Sequence, residues 1–132
     1  MTKKCIISAV VMFVMVWALS FVVHGVLLNA DYSVTQGMRP PAEAQIRIGW
    51  LIFAQAIFGV AFAWVYMQGK GDRPWLAQGI RYGIAVAALA VIPTYLIYHV
   101  VTPIELSVAV KQIVYDTIRV VLMGVVLAWI NR

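Results

Sequence analysis

Four long apolar stretches, separated by short polar segments, constrain the fold of this chain more than any other feature. They cover residues of about 5–28, 46–68, 75–101 and 104–130. Each is long enough to cross the hydrocarbon core of a bilayer, which takes about 20 mostly apolar residues in a helix. Because backbone groups in hydrocarbon need hydrogen-bond partners within the segment, each stretch is expected to be helical. The sequence therefore predicts a single all-α membrane domain over residues 1–132, with four transmembrane helices in an up-down bundle.

The composition excludes several classes of soluble protein. Hydrophobic residues make up 64% of the chain and charged residues only 11%, whereas a soluble domain has about half and about a quarter. Soluble enzymes, disordered tails and nucleic-acid-binding domains are therefore poor interpretations, although the net charge is +5. Lys3 and Lys4 could open a signal peptide, but the apolar run continues to Leu28, so we expect an uncleaved first helix.

The basic residues indicate how the helices are oriented. On the side of both termini, six basic residues flank the stretches: Lys3, Lys4, Lys70, Arg73, Arg81 and Arg132. The opposite side carries two, Arg39 and Arg47. Because basic loops stay preferentially in the cytoplasm, both termini are predicted to be cytoplasmic. Phospholipid headgroups are the expected partners of these charges, and Pro93 predicts a kink in the third helix.

A short motif near the ends of the second and fourth stretches indicates an internal duplication. Gly59, Val60, Ala63 and Trp64 recur as Gly124, Val125, Ala128 and Trp129. A repeated two-helix hairpin would relate the two halves by an axis along the membrane normal. The alternative is coincidence, because small residues and interfacial tryptophans are common in membrane helices.

The fourth stretch carries the most informative polar residues. Gln112, Asp116 and Arg119 lie four and three residues apart, so they share one helical face. Asp116 is expected near the middle of the membrane, where an ionisable group is costly unless it is paired and faces the bundle interior. This face is interpreted either as a polar site for a substrate, an ion or a proton, or as a neutralised ion pair that orients the bundle.

Two histidines form a second constellation of candidate residues. His24 and His99 lie near the ends of the first and third stretches, which run in the same direction, so similar depths are expected. Two facing imidazoles could ligate a haem b iron or contribute to a divalent metal site. The alternative is a pair of hydrogen-bonded histidines near the membrane surface. The lone Cys5 cannot form an internal disulfide or a thiolate metal site.

Three short segments of the sequence resemble those of a family. His24-Gly-Val-Leu-Leu, Pro93-Thr-Tyr-Leu-Ile-Tyr98 and Lys111-Gln-Ile-Val-Tyr-Asp-Thr117 resemble an uncharacterised family of small bacterial four-helix inner-membrane proteins, a domain of unknown function. The resemblance covers nearly the whole chain. It implies a multi-pass protein of the inner membrane and assigns no activity to any residue.

Three functions are compatible with these patterns. The leading expectation is a non-enzymatic accessory subunit or homo-oligomer that acts through helix contacts, because small residues allow close helix packing. The small-residue pairs are Gly59/Ala63, Gly83/Ala87 and Gly124/Ala128. The second is a small transporter or ligand-binding bundle with an outward-facing pocket. Its candidate ligand-binding residues are His24, Gln55, Tyr95, His99, Gln112, Asp116 and Arg119. The third is a bis-histidine haem or metal protein.

Overall fold

The structure is a computed structural model that describes residues 2–132. Its four long helices are α1 (Lys3–Leu27), α4 (Ile48–Gly69), α5 (Trp75–Val101) and α6 (Leu106–Ile130). Two short helices, α2 (Asn29–Val34) and α3 (Pro41–Ile46), lie between α1 and α4. Residues 2–132 contain no strand. The predicted all-α fold is therefore confirmed: four long apolar helices pack in a bundle, and each is long and apolar enough to cross a membrane.

The helices pack as two hairpins joined side by side. α1 packs along α4 and α5 packs along α6, while α1 and α6 join the two pairs. Lys4 Nζ donates a hydrogen bond to the Arg132 carbonyl oxygen at 3.4 Å, and the Arg132 guanidinium lies 5.9 Å from the Trp75 ring centroid. Both termini and the turn before α5 therefore share one end of the bundle, here called the basic end. The segments 28–47 and 102–105 lie at the opposite end, the loop end.

Glycines bring the helices of each hairpin into backbone contact. A Cβ atom added at Gly59 of α4 would lie 2.9 Å from the Cα of Phe13 in α1. One added at Gly79 of α5 would lie 2.6 Å from the carbonyl oxygen of Gly124 in α6. Backbones this close exclude larger residues. The small residues that suggested binding to a second chain are thus used inside this one.

The same contacts bear on the predicted duplication. Gly59 and Gly124 each pack against the first long helix of their own hairpin. Trp64 and Trp129, which follow them at the same spacing, both point away from the core and are 63% and 51% exposed. The two hairpins share these features, and their origin by duplication stays a prediction.

The half of the bundle nearer the basic end has an apolar core. Met12 and Val16 of α1 belong to one buried cluster with Val120, Met123 and Leu127 of α6. None of these five side chains is more than 2% exposed. Because close-packed apolar side chains leave no space for water, this cluster separates the middle of the bundle from the basic end.

Two of the long helices contain π-helical turns, at Phe21–Leu27 in α1 and at Ala87–Val91 in α5. The turn in α5 ends two residues before Pro93, whose ring lacks an N–H and is incompatible with a regular hydrogen bond to the carbonyl four residues earlier. The kink expected at Pro93 stays a prediction. The turn in α1 contains His24 and no proline. Such turns often occur at functional sites.

Candidate functional site

Asp116 lies at the centre of a buried polar network. It is 1% exposed and lies about 15 Å along α6 from Leu106, at 1.5 Å per residue. Its Oδ1 lies 3.1 Å from Arg119 Nε, and its Oδ2 lies 3.3 Å from His24 Nε2. The Tyr95 hydroxyl donates a hydrogen bond to the same Oδ2. Helices α1, α5 and α6 therefore all supply partners to one carboxylate, which compensates its burial.

Arg119 connects this carboxylate to the remaining helix. Its guanidinium donates a hydrogen bond to the Ser20 hydroxyl of α1 and lies 5.8 Å from the ring centroid of Phe58 in α4. The Nε–Oδ1 contact with Asp116 is an ion pair without hydrogen-bond alignment. A guanidinium over an aromatic face gains a cation–π interaction. The opposite charges thus neutralise each other where all four long helices meet.

A chain of polar contacts extends from Asp116 through His24 towards the loop end. Gln112 Nε2 donates to the Tyr32 hydroxyl oxygen at 3.0 Å, and that hydroxyl lies 2.6 Å from His24 Nδ1. Because the Tyr32 oxygen accepts from Gln112, its own proton is free to donate to Nδ1, which leaves the Nε2–H of His24 to face Asp116. The Tyr95 hydroxyl, 3.4 Å from Nε2, closes the network. The assigned order is Gln112, Tyr32, His24, Asp116.

Tyr32 reaches this chain because α2 folds back over the bundle. Its ring stacks on His24 with the centroids 5.9 Å apart. The preceding residue, Asp31, accepts a hydrogen bond from Lys111 of α6 at 2.9 Å, which ties α2 to the bundle. Burial raises the pKa of the Tyr32 phenol above its ordinary value of 10.0, although the hydrogen bond from Gln112 acts to lower that pKa. The phenol therefore keeps its proton, and remains a donor, at neutral pH.

A cavity of about 340 Å³ opens next to this chain of contacts at the loop end. It is lined by Asp31, Val34, Thr35, Gln36, Pro103, Glu105, Ser107 and Val108. Two of these side chains are carboxylates, which attract cations and protons. One turn of α6 further in, the Gln112 side-chain oxygen is buried and has no hydrogen-bond partner among residues 2–132. A buried oxygen without a protein partner can accept a hydrogen bond from a water molecule.

Most of the predicted site residues, but not all of them, lie in one network. His24, Tyr95, Gln112, Asp116 and Arg119 belong to one network. Two others lie outside it. His99 Nδ1 lies 2.6 Å from the carbonyl oxygen of Ile104, and Gln55 Oε1 is buried with no hydrogen-bond partner in the described chain.

The expected pairing of the two histidines is not supported by their contacts. Both ring nitrogens of His24 face protein groups, namely the Tyr32 hydroxyl and the Asp116 carboxylate, whereas His99 bonds a backbone carbonyl. Residues 2–132 contain no group of three or more His, Cys, Asp or Glu side chains that could hold a metal ion. The haem or metal site stays a prediction without support from this geometry.

Three participants were not among the predicted site residues. Tyr32 lies in a segment predicted to be a polar loop, and its only sequence signal is an aromatic residue soon after the end of the first apolar stretch. Ser20 and Phe58 contact Arg119. Both are ordinary residues for an apolar helix, so nothing in the sequence distinguishes them. Asp31, in the polar segment between the first two apolar stretches, pairs with Lys111.

No family model, curated protein or solved structure matches the chain.

Proposed function

We propose that the protein spans the cell inner membrane four times, with both termini in the cytoplasm and the loop end outside. The supporting feature is the distribution of charge between the two ends of the bundle. The six basic residues that flank the helices on the side of the termini share the basic end, whereas Arg39 and Arg47 belong to the loop end. The retention of basic loops in the cytoplasm favours this orientation.

Within that setting, we propose that the protein binds a proton at the His24–Asp116 pair and takes it up from the outer side. The observation that carries this proposal is the continuous polar path from Tyr32 at the loop end, through its hydrogen bond with His24 Nδ1, to the 3.3 Å contact between His24 Nε2 and Asp116 Oδ2 in the middle of α6. Buried ionisable groups in membrane helices commonly serve as proton relays. Imidazole is suited to that task because it changes charge near neutral pH.

The order of these contacts defines a balanced transfer. A proton from water binds the Tyr32 oxygen while the phenolic proton moves to His24 Nδ1, so that Tyr32 ends neutral and His24 carries a proton on both ring nitrogens. The imidazolium then faces the Asp116 carboxylate, whose Oδ2 lies 3.3 Å from Nε2. The net change is one proton gained by the His24–Asp116 pair.

The pathway is proposed to be open on one side only. Beyond Asp116 and Arg119, the bundle interior towards the basic end contains the apolar cluster with Met12, Val120 and Met123. None of these three side chains can donate a proton, so they interrupt a path from Asp116 towards the basic end. We therefore propose a proton-binding site and not a proton channel. Because Asp116 contacts side chains from α1, α5 and α6, a proton added to the His24–Asp116 pair changes the charge where these helices meet and couples protonation to helix packing.

The transporter or ligand-binding bundle and the helix-contact subunit, both predicted from the sequence, receive less support. A preformed ligand pocket around Asp116 is not favoured, because hydrogen-bonded side chains fill the space around the carboxylate. Action through helix contacts with another chain stays a prediction, since Gly59 and Gly124 contact helices of the same chain.

The proposal is tested by proton uptake of the purified protein in lipid nanodiscs. Between about pH 8 and pH 5, the wild type is expected to take up about one proton more than Asp116→Asn, because without the carboxylate an imidazolium at His24 would lie near the Arg119 cation with no counter-charge. The matched control is Glu105→Gln, which changes an exposed carboxylate at the loop end and is expected to leave that difference unchanged. Equal uptake by the wild type and Asp116→Asn would refute the proposal.

A further inference from the structure

A second candidate site lies at the basic end, far from the Asp116 network along the helices. There, the end of α4, the following turn and the start of α5 enclose a cavity of about 640 Å³, here called the basic cleft. Its lining residues are Val65, Tyr66, Gly69, Gly71, Arg73, Gln78, Arg81, Tyr82 and Ala85. The network that we propose to bind a proton uses none of them.

Two arginines of the basic cleft have no charge partner. Both Arg73 and Arg81 are exposed, and neither guanidinium forms an ion pair or a hydrogen bond with any of residues 2–132. Arg81 lies about 9 Å along α5 from Trp75, at 1.5 Å per residue. An arginine this far into an apolar helix is costly unless an anion or water meets it. The two guanidiniums thus present unsatisfied donors to one cavity.

The walls of the basic cleft are held in place by hydrogen bonds. The Gln78 side chain accepts from Gly71 N at 3.0 Å and donates to the carbonyl oxygens of Gly71 at 2.8 Å and Arg73 at 3.3 Å. The Tyr82 hydroxyl donates to the carbonyl oxygen of Phe62 at 2.6 Å, which ties α5 to α4 below the turn. These hydrogen bonds hold Gln78 and Tyr82 in the wall of the cavity. The guanidiniums of Arg73 and Arg81 form no such bond among the described residues and can bind a ligand.

An apolar face continues from the basic cleft towards the middle of the bundle. Val65, Ala61 and Ile57 lie four residues apart along α4, so they share one face of that helix. Ala61 and Ile57 also line a second cavity of about 460 Å³, which has only apolar neighbours. On α5, Ala85 follows Arg81 by one turn. A ligand with an anionic head group and an apolar chain would therefore contact the arginines with its head group and the apolar face of α4 with its chain.

We propose that the basic cleft binds one anionic glycerophospholipid, with its phosphate on Arg73 and Arg81 and an acyl chain along the Val65–Ala61–Ile57 face. Guanidiniums bind phosphate oxygens through charge-assisted and often bidentate hydrogen bonds. The inference rests on the membrane setting proposed above and is independent of the proton-binding site. A lipid is favoured over free phosphate because the cavity continues into an apolar surface.

The test is native mass spectrometry of the full chain in a neutral detergent, titrated with phosphatidylglycerol or with phosphatidylcholine. Wild-type protein is expected to retain one phosphatidylglycerol and to bind phosphatidylcholine about tenfold more weakly. The variant Arg73→Gln/Arg81→Gln should lose about tenfold in affinity for phosphatidylglycerol. Lys70→Gln is the matched control, because it removes a charge from the same turn at a residue that does not line the cavity.

Three outcomes would overturn the proposal. One is a loss of phosphatidylglycerol affinity in Lys70→Gln as large as the loss in Arg73→Gln/Arg81→Gln. That result would mean that lipid binding depends on the net charge of the basic end. Another is equal binding of the two lipids by the wild type. The third is displacement of the bound lipid by inorganic phosphate at millimolar concentration, which would assign the cavity to the free anion. The arginine variant is expected to keep the wild-type thermal stability, since both side chains are exposed and unpaired. None of these results depends on Asp116.

Discussion

Arg119→Met is expected to lower the free energy of unfolding by about 3 kcal/mol, the largest effect of any single side-chain removal in the polar network. The substitution keeps most of the side-chain length but leaves Asp116 as a buried carboxylate without its cation. Removal of one partner from a buried ion pair typically costs about 3–5 kcal/mol. We place this variant at the low end because His24 and Tyr95 still contact the carboxylate.

Unfolding of the reconstituted protein by a denaturing detergent at neutral pH measures this effect. Lys111→Met is the matched control on the same helix: its ion pair with Asp31 is exposed on the Lys111 side, so the loss should be much smaller than that of Arg119→Met. The double variant Asp116→Leu/Arg119→Met should recover at least half of the loss, since it removes both charges. A double variant as unstable as the sum of its single variants would contradict the ion-pair account.

Gly83→Ala is expected to destabilise the bundle by about 3 kcal/mol, because the two helices of the second hairpin touch through their backbones. A Cβ atom at Gly83 would collide with the Cα of Val121 and would lie 2.8 Å from the carbonyl oxygen of Val120. Backbone atoms cannot move aside as a flexible side chain can, so α5 and α6 would have to separate. Forced overpacking of this kind typically costs about 1–3 kcal/mol.

Gly49→Ala gives the matched control for this substitution. Gly49 lies in the first turn of α4, and an added Cβ atom meets nothing within 4 Å. In an open helical position, alanine is favoured over glycine by up to about 1 kcal/mol, so this variant should be neutral or slightly stabilised. Equal thermal unfolding temperatures for the two variants would show that α5 and α6 are not in backbone contact.

The hydrophobic pattern was sufficient to predict the helices and part of the site. The four long helices begin and end within two residues of the predicted bounds. The spacing of Gln112, Asp116 and Arg119 placed them on one face, and the high cost of an unpaired charge in hydrocarbon required that this face be internal. Both inferences require only the spacing of residues along the sequence and the cost of an unpaired charge in lipid.

The remainder of the site depends on tertiary contacts that periodicity does not encode. The π-helical turn at Phe21–Leu27 contains no proline, so no residue pattern predicted this turn at His24. Tyr32 joins the network only because α2 folds back over the bundle, an arrangement supported by the contact between Asp31 and Lys111. His99, at a similar depth by counting residues, bonds the nearby Ile104 carbonyl instead. Depth along a helix was predictable, whereas the direction of each ring was not.

The most direct test of the continuous chain is a double-mutant cycle between its two ends. Tyr32→Phe removes the outer hydroxyl and Asp116→Asn removes the inner charge, and these side chains are connected through His24. Their effects on the free energy of unfolding should be non-additive by about 1 kcal/mol in the wild-type background. The same cycle should become additive in a His24→Phe background, which keeps a ring but lacks both nitrogens. Additivity within about 0.3 kcal/mol when His24 is present would contradict the account.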